Sequence, residues 1–360
     1  MKVMRYFKCF LGAFAILFAC CTRQSDCFQF NYDGEEAVVC GFSPMPRVDS
    51  TNIVIPATIE YDGKSYLVTK VAERAFENSN YIVTISLPNT IKEIGEGAFC
   101  GCKFLDSINI PNGVTHLRKD ILKDCSSLKQ IDIPFGVTHI DGYAFENCTS
   151  LTSLIIPNSV VSIETGAFCG CRNLKSVEIS TNIDSLCGVF VNCVNLRSVT
   201  IPDNVLSVFQ TFIGCRNLSS VKMGNNMVTI GRETFKDCRS LHDITIPDGV
   251  KKIDTSAFNG CTDLTSIHIP NSVTSIEKAA FCGCEQLMFV TLSDSLVSLE
   301  PETFKRCNRL RDITIPESVR IIHSDAFEDC GKIYSLTISR RTTIEDLAFR
   351  NCPNFGIFYY

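Results

Sequence analysis

Hydrophobic residues recur along this chain every 22 or 23 residues, from about residue 50 to its end. If the cysteine of each unit is position zero, apolar residues return at +3, +6, +8, +12 and +15, followed by alanine at +19 and phenylalanine at +20. The unit that begins at Cys148 also has the proline that many units carry at +9, Pro157. A fixed period of this length is typical of a solenoid, in which each coil covers the apolar face of its neighbour.

The alternation of apolar residues at +6 and +8 predicts a short strand whose even positions point inward. Proline at +9 cannot donate a ladder hydrogen bond and therefore ends that strand. The +12 to +15 stretch is expected to be a second short extended or turn segment, and the Ala-Phe-x-x-Cys piece to close the coil as one helical turn. Equivalent strands of successive coils would pair in parallel, about 4.8 Å apart. We therefore predict a β-rich solenoid with a parallel sheet on one face.

Cysteine is abundant, with 21 residues in 360, but most of it belongs to the repeat. Phenylalanine stands three residues before almost every repeat cysteine, and only Leu122 breaks that series. We interpret the repeat cysteines as buried, inert thiols that pack as small hydrophobic groups. They are Cys102, Cys125, Cys148, Cys171, Cys193, Cys215, Cys238, Cys261, Cys284, Cys307, Cys330 and Cys352.

Other residues that could carry chemistry form no recognisable site. The three C-x-C pairs begin at Cys100, Cys169 and Cys282, and their first members are expected to point away from the core, too far apart to share a metal ion. His116 and His139 would be stacked neighbours at +14, without an evident third ligand, and are interpreted as exposed loop residues. No catalytic or phosphate-binding motif is present. We predict no enzyme, metal or cofactor.

The first residues predict export. Residues 1–8 carry three positive charges, and an apolar stretch follows at residues 10–19 that is too short to cross a bilayer as a helix. The sequence Leu17-Phe18-Ala19-Cys20 resembles a bacterial lipobox. That resemblance implies a signal peptide at residues 1–19 and lipidation of Cys20, whereas the alternative is an ordinary secretory signal.

The segment 20–78 interrupts the period and is expected to cap the stack, with the solenoid proper at 79–360. Asp33-Gly34 predicts a type I′ turn that would place Cys27 opposite Cys40 at a non-hydrogen-bonded pair. That geometry allows a Cys27–Cys40 disulfide, the alternative being two free thiols. A second hairpin is predicted at residues 59–68 around Asp62-Gly63.

The last unit continues the strand template with Phe355, Phe358 and Tyr360. A final strand presents an edge that is a liability unless it is covered. Either these aromatic residues, together with Tyr359, fold over the end as a lid, or that end pairs with a partner.

The outward strand positions, +5 and +7, are mostly serine and threonine, as suits an exposed strand. Met288 and Phe289, with Tyr334 two coils on, are exceptions, and Ile155 stands alone. An exposed apolar pair among hydroxyl groups predicts a contact surface. Its candidate residues are Met288, Phe289, His268, Thr291, Thr314 and Tyr334.

The motifs Leu-x-x-Ile-x-Ile-Pro-x-x-Val-x-x-Ile and Ala-Phe-x-x-Cys resemble the BspA-like (Treponema pallidum-type) leucine-rich repeats of bacterial surface proteins. The resemblance implies a right-handed leucine-rich repeat stack and a surface-exposed or secreted binding protein, sometimes an adhesin for host matrix proteins or other bacteria. It brings no catalytic residues.

The predicted function is therefore non-catalytic binding or adhesion at the bacterial outer membrane or cell surface. The lipid anchor would hold the protein there, and the sheet face would recognise protein or glycan partners. The alternative is a structural or assembly component of an envelope complex. The net charge of −5 and the lack of a visible basic stripe argue against nucleic acid as a partner.

Overall fold

The computed structural model describes residues 28–42, 52–353 and 356–359. The predicted signal peptide, Cys20, Cys27, Phe355 and Tyr360 lie outside these ranges. Within them the chain forms a solenoid of 22- and 23-residue coils. A first row of parallel strands occupies the predicted position at +5 to +7, which we call the first sheet face. Its strands are β3 (Asn52–Val54), β6 (Thr84–Ser86), β8 (Ser107–Ile108), β11 (Ser153–Ile155), β13 (Ser176–Glu178), β15 (Ser198–Thr200), β17 (Ser220–Lys222), β19 (Asp243–Ile244), β21 (Ser266–His268), β23 (Phe289–Thr291), β25 (Asp312–Ile313), β27 (Ser335–Ile338) and β29 (Gly356–Tyr359).

A second row of parallel strands forms where the sequence predicts only a short extended or turn segment. All but the last of these strands begin at +14 and place the apolar residue at +15 inside, so the solenoid has two sheet faces rather than one. The strands of this second sheet face are β7 (Glu93–Ile94), β9 (His116–Leu117), β10 (His139–Ile140), β12 (Ser162–Ile163), β14 (Ser185–Cys187), β16 (Ser207–Phe209), β18 (Thr229–Ile230), β20 (Lys252–Ile253), β22 (Ser275–Ile276), β24 (Ser298–Leu299), β26 (Ile321–Ile322) and β28 (Thr343–Ile344).

The third side of the coil, which we call the turn side, differs from the predicted helical turn. Each coil has a left-handed residue five positions before its cysteine and another directly before it, as at Tyr143 (φ 59°) and Asn147 (φ 58°). Left-handed residues interrupt an α-helix. Every second N–H of this segment donates instead to a carbonyl of the next coil, as Phe145 N–H does to Ala167 O at 2.8 Å. The described ranges contain no helix that is long and apolar enough to cross a membrane.

The core repeats one arrangement in every coil. The phenylalanine rings stack nearly parallel on the rings of adjacent coils in nine consecutive pairs from Phe145 to Phe349, with centroids 5.0 Å apart at Phe145–Phe168 and 5.9 Å at Phe190–Phe212. Such pairs contribute about 0.5–1.5 kcal/mol beyond the area that they bury. Leu122 occupies the phenylalanine position of its coil and therefore interrupts the stack of rings, as the sequence predicts.

The repeat cysteines are not only small hydrophobic groups. Each Sγ lies within hydrogen-bonding distance of a backbone carbonyl in the previous coil. That carbonyl belongs to the residue three positions before the cysteine of the previous coil. For example, Cys215 Sγ lies 3.2 Å from Phe190 O, and Cys238 Sγ lies 3.1 Å from Phe212 O. The thiol is therefore a donor that links one coil to the previous one while remaining buried.

At the N-terminal end, β1 (Phe28–Asp33) and β2 (Glu36–Phe42) form the first predicted hairpin, and β2 pairs in parallel with β5 (Lys64–Val71). The second hairpin is confirmed, since β4 (Thr58–Tyr61) pairs with β5 around Asp62-Gly63, whose φ values of 50° and 72° suit a type I′ turn.

The register of the first hairpin differs from the prediction. Asp33 pairs with Glu36, so Gly34 (φ 61°) occupies the first central position of a type II′ turn. A bulge between Gln29 and Phe30 then leaves Cys40 as the extra residue of β2. The predicted register, with a turn at Asp33-Gly34 and no bulge, was therefore wrong. Since Cys27 lies outside the described residues, the disulfide itself stays a prediction.

At the C-terminal end, β29 continues the first sheet face by pairing in parallel with β27. The pairing places Ile357 opposite Leu336 and Phe358 opposite Thr337. Phe358 is therefore an outward residue and not an inward one, because the last coil is one residue shorter than the template assumes. Phe358 and Tyr359 are 61% and 51% exposed, so neither forms the predicted lid.

Candidate binding surface

The first sheet face presents its +5 and +7 side chains to solvent, because the +6 and +8 residues of the same strands fill the core. Hydroxyl-bearing residues dominate the outward positions, and parallel pairing aligns them in rows along the axis, as in Ser153 with Ser176 and Ser198 with Ser220. The rows are spaced by one strand separation, about 4.8 Å. A large partner would therefore meet a regular, polar surface over most of this face.

Met288, Phe289, Arg311 and Tyr334, which we call the aromatic patch, break this polar surface. Phe289 is 44% exposed on β23, and the Arg311 guanidinium lies over its ring, 5.4 Å from the centroid. The same guanidinium lies 3.8 Å from the sulfur of Met288. A cation over an exposed ring contributes about 0.5–1 kcal/mol, so Arg311 helps to hold the ring in place.

The other predicted residues lie around this patch. His268 on β21 is the register partner of Thr291 on β23, and both side chains are exposed. Thr314, one coil further, is exposed directly after β25. Tyr334, two coils beyond Met288, is 56% exposed. The structure thus brings all six predicted residues onto one exposed area of the first sheet face.

Arg311 is the residue of this patch that sequence reasoning missed. It occupies the +4 position, directly before the outward +5 residue, where only the large apolar side chains stand out from the sequence. The row reads Met288, Arg311, Tyr334 over three coils. Since residues 23 apart are neighbours in the stack, a cation between two large apolar side chains could have been recognised.

Ile155 is another exposed apolar residue on this face and lies apart from the aromatic patch. It is 62% exposed at the end of β11, with Glu178 as its register partner. Single exposed hydrophobic residues are common on protein surfaces and indicate no site. It is therefore useful as a control position.

The cysteines show the environments of structural thiols. Burial raises the pKa of Cys102 and Cys215 to about 12, although a hydrogen bond with the backbone of Ser79 and of Cys193, respectively, opposes that rise. Burial also raises the pKa of the half-buried Cys100, Cys169 and Cys282. Because the thiolate is the reactive form, these thiols are poor nucleophiles and metal ligands at neutral pH.

The two histidines at +14 are confirmed as stacked neighbours, but they lie on strands rather than in loops. The rings of His116 and His139 are parallel within 4°, with centroids 4.5 Å apart, and each Nδ1 lies close to the hydroxyl of the preceding threonine. Within the described ranges, no group of three or more His, Cys, Asp or Glu side chains could hold a metal ion.

Parallel short strands, one coil per 22 or 23 residues and a core of repeating Leu, Ile, Phe and Cys define a leucine-rich repeat solenoid, a fold that is typically non-catalytic. The pattern of the BspA type leucine rich repeat region matches residues 51–160, 138–262 and 228–356, in six copies. The chain therefore belongs to the BspA-type leucine-rich repeat family, as the sequence motifs suggested. No curated protein sequence matches it.

Solved structures of bacterial leucine-rich repeat proteins are similar over almost the whole chain. A leucine-rich repeat protein from Bacteroides ovatus has 26% identity and a TM-score of 0.72, with 93% of this chain and 98% of that chain covered. A leucine rich cell surface protein from Faecalibacterium prausnitzii has 28% identity and a TM-score of 0.61, with 94% of each chain covered. The pneumococcal vaccine antigen PcpA, at 17% identity and a TM-score of 0.54 over 92% of this chain and 96% of that one, shares the fold.

Proposed function

We propose that this protein is an exported, non-catalytic binding protein that recognises a protein or glycan partner through the aromatic patch and the hydroxyl-lined rows beside it. The observation that carries the proposal is the exposure of Phe289 and Tyr334, together with the half-buried Met288, around Arg311 on a largely polar sheet face. Aromatic residues and arginine dominate the energetics of protein interfaces. Their density here contrasts with the serine and threonine elsewhere on the face.

The surrounding residues supply the polar part of such a contact. Thr291 and Thr314 offer hydroxyl groups that can donate and accept, and His268 adds a ring nitrogen at the edge of the patch. An apolar centre with a polar rim is the usual anatomy of an interface. Sugar rings and protein side chains both fit this combination, which is why the proposal includes both classes of partner.

The test compares a patch variant, Phe289→Ser with Tyr334→Ser, with a control variant, Ile155→Ser. All three side chains are exposed on the first sheet face, so none of the changes creates a core cavity. Both proteins and the wild type are screened against purified matrix proteins and a glycan array. Partners of the wild type are expected to bind the patch variant at least about 30-fold more weakly, since hot-spot aromatics contribute about 2 kcal/mol or more.

The control should retain the affinity of the wild type within about twofold. Binding that survives in the patch variant, or that is lost in both variants, would show that the partner uses another surface. Absence of any partner for the wild type would contradict the binding function as proposed.

We also propose that the protein is anchored to the membrane through lipid on Cys20, which would place the solenoid at the outer membrane or cell surface. The surface location named for the F. prausnitzii relative supports export of this chain. The expected result is a mature N-terminus at Cys20 that carries acyl chains in intact-protein mass spectrometry and that a Cys20→Ala variant lacks. An unmodified start at any other residue would contradict the anchor.

The alternative, an assembly component of an envelope complex, is supported by the exposed Phe358 and Tyr359 on β29. This alternative requires self-association or a fixed partner in the envelope. Light scattering of the purified protein separates the two: a monodisperse monomer contradicts self-assembly.

A further inference from the structure

Five cations collect along one edge of the solenoid where the turn side meets the first sheet face. We call Arg172, Lys175, Arg197, Arg216 and Arg239 the basic strip. They occupy the +1 and +4 positions of four successive coils, and all five side chains are exposed. Backbone hydrogen bonds join these coils directly, for example Arg197 N–H to Lys175 O at 3.3 Å. With about 4.8 Å per coil, the strip extends roughly 15 Å along the axis.

The strip carries five cations on four adjacent coils of this acidic protein, and their charges are not neutralised by ion pairs. Elsewhere, cations of the turn side are paired with carboxylates, as in Lys123–Glu146 at 2.8 Å and Lys305–Glu328 at 2.7 Å. Among the described residues, no carboxylate forms an ion pair with any of the five strip cations. The acidic residues nearest to them in sequence occupy other positions of the repeat: Glu178, Asp237, Asp243 and Asp263.

A ladder of amides runs beside these charges. Asn217 donates from Nδ2 to Oδ1 of Asn195 at 2.9 Å, and Asn195 donates in the same way to Asn173 at 3.2 Å. Each amide nitrogen has two N–H donors, so the ladder leaves one of them available in each coil. The strip therefore combines positive charge with hydrogen-bond donors that repeat once per coil.

We propose that the basic strip binds an acidic polysaccharide, a chain that carries sulfate or carboxylate groups at regular intervals. Regularly spaced anions match cations that recur along the axis, and sugar hydroxyls match the amide ladder. Arginine favours this role because its guanidinium can make two parallel hydrogen bonds to one sulfate or carboxylate. The strip is a different surface from the aromatic patch and does not depend on it.

The composition of the strip favours a polysaccharide over a single-stranded nucleic acid. Proteins that bind single strands combine a positive groove with aromatic side chains on which bases stack. The +1, +2 and +4 positions of these four coils contain no Phe, Tyr or Trp. The basic strip therefore has the positive charge that a nucleic acid needs but lacks the aromatic side chains on which its bases would stack.

The experiment measures binding of heparin, as a sulfated probe, to the wild type and to two charge-matched variants. The strip variant is Arg172→Gln with Arg197→Gln and Arg216→Gln. The control is Lys251→Gln with Arg340→Gln and Arg341→Gln, which removes three exposed cations outside the strip. The strip variant should bind heparin about tenfold more weakly or worse, and the control within about twofold of the wild type. Wild-type binding should weaken as salt screens the charges.

Three results would overturn the proposal: no heparin binding by the wild type at about 0.15 M salt, equal losses in both variants, or tighter strip-dependent binding of oligo-deoxythymidine than of heparin. The last result would identify a polynucleotide as the partner. The Phe289→Ser/Tyr334→Ser variant should bind heparin normally, so that failure of the strip and failure of the aromatic patch are distinguishable. Circular dichroism of every variant confirms that the coils remain folded.

Discussion

Raising the pH above 9 is expected to unfold the solenoid steeply, because the buried cysteine ladder cannot ionise in the folded state. Burial raises the pKa of Cys215 from 9.0 to about 12, and it raises the pKa of the ladder thiols on either side of it well above 9.0. In the unfolded chain these thiols would ionise near 9.0. Between these values only the unfolded state releases protons, so stability is full below pH 9 and falls as the pH rises toward 12.

The repetition of the thiol makes this effect large. Each one contributes about 1.4 kcal/mol of destabilisation per pH unit within that window. Eleven ladder thiols with raised pKa would together lower the free energy of unfolding by on the order of 10 kcal/mol between pH 9 and pH 10. This is comparable to the whole stability of a typical domain.

The measurement is urea unfolding followed by circular dichroism at pH 7 to 11, with a reductant present so that thiols do not oxidise. The variant Cys193→Ala/Cys215→Ala/Cys238→Ala should start less stable but lose stability with pH less steeply, by about 4 kcal/mol per pH unit. Replacement of the exposed Cys187 by alanine is the control and should leave the slope unchanged. A protein that keeps its stability to pH 11, or a triple variant with the slope of the wild type, would contradict this account.

The ladder also shows how far the sequence alone determines the fold. The period placed Phe, Cys, Leu and Ile in the core up to the last coil, where Phe358 points outward, because the inward slots of a close-packed stack favour apolar residues of similar size. It did not predict the conformation of the turn side. Yet the slot before the cysteine holds Asn, Asp or Gly in most coils, such as Asn147, Gly170 and Asp237, and these are the residues that adopt left-handed backbone most readily.

Surface sites were harder to predict than the core. Arg311 and the cations of the basic strip have neighbours about 22 positions away in sequence, so that a local window does not show these contacts. The expectation that the chain has no basic stripe was wrong for this reason. The predicted register of the first hairpin was wrong for another reason: both Asp33-Gly34 and Gly34-Glu35 are acceptable two-residue turns, and the bulge in β2 has no marker in the local sequence. Local sequence therefore specified which strands pair but not their offset.

Truncation of one ring in the middle of the phenylalanine stack is expected to divide the solenoid into two separately unfolding halves. Phe212 is fully buried between Phe190 and Phe235, with ring centroids at 5.9 and 5.6 Å. Phe212→Ala would leave a cavity and should cost about 3–5 kcal/mol. Because each coil contacts only its neighbours, this stabilising free energy is lost at the two interfaces beside coil 193–215 and not from the stack as a whole.

Phe212→Leu is the matched control, since Leu122 shows that the same slot accepts leucine when both adjacent coils carry phenylalanine. It should cost clearly less than the alanine variant, about 1–2 kcal/mol, and keep a single unfolding transition. For Phe212→Ala we expect two transitions in urea and a first proteolytic cut close to residue 212. A single transition with unchanged midpoint would mean that coupling between coils passes not through the ring stack but through the backbone hydrogen bonds and the other contacts that join adjacent coils.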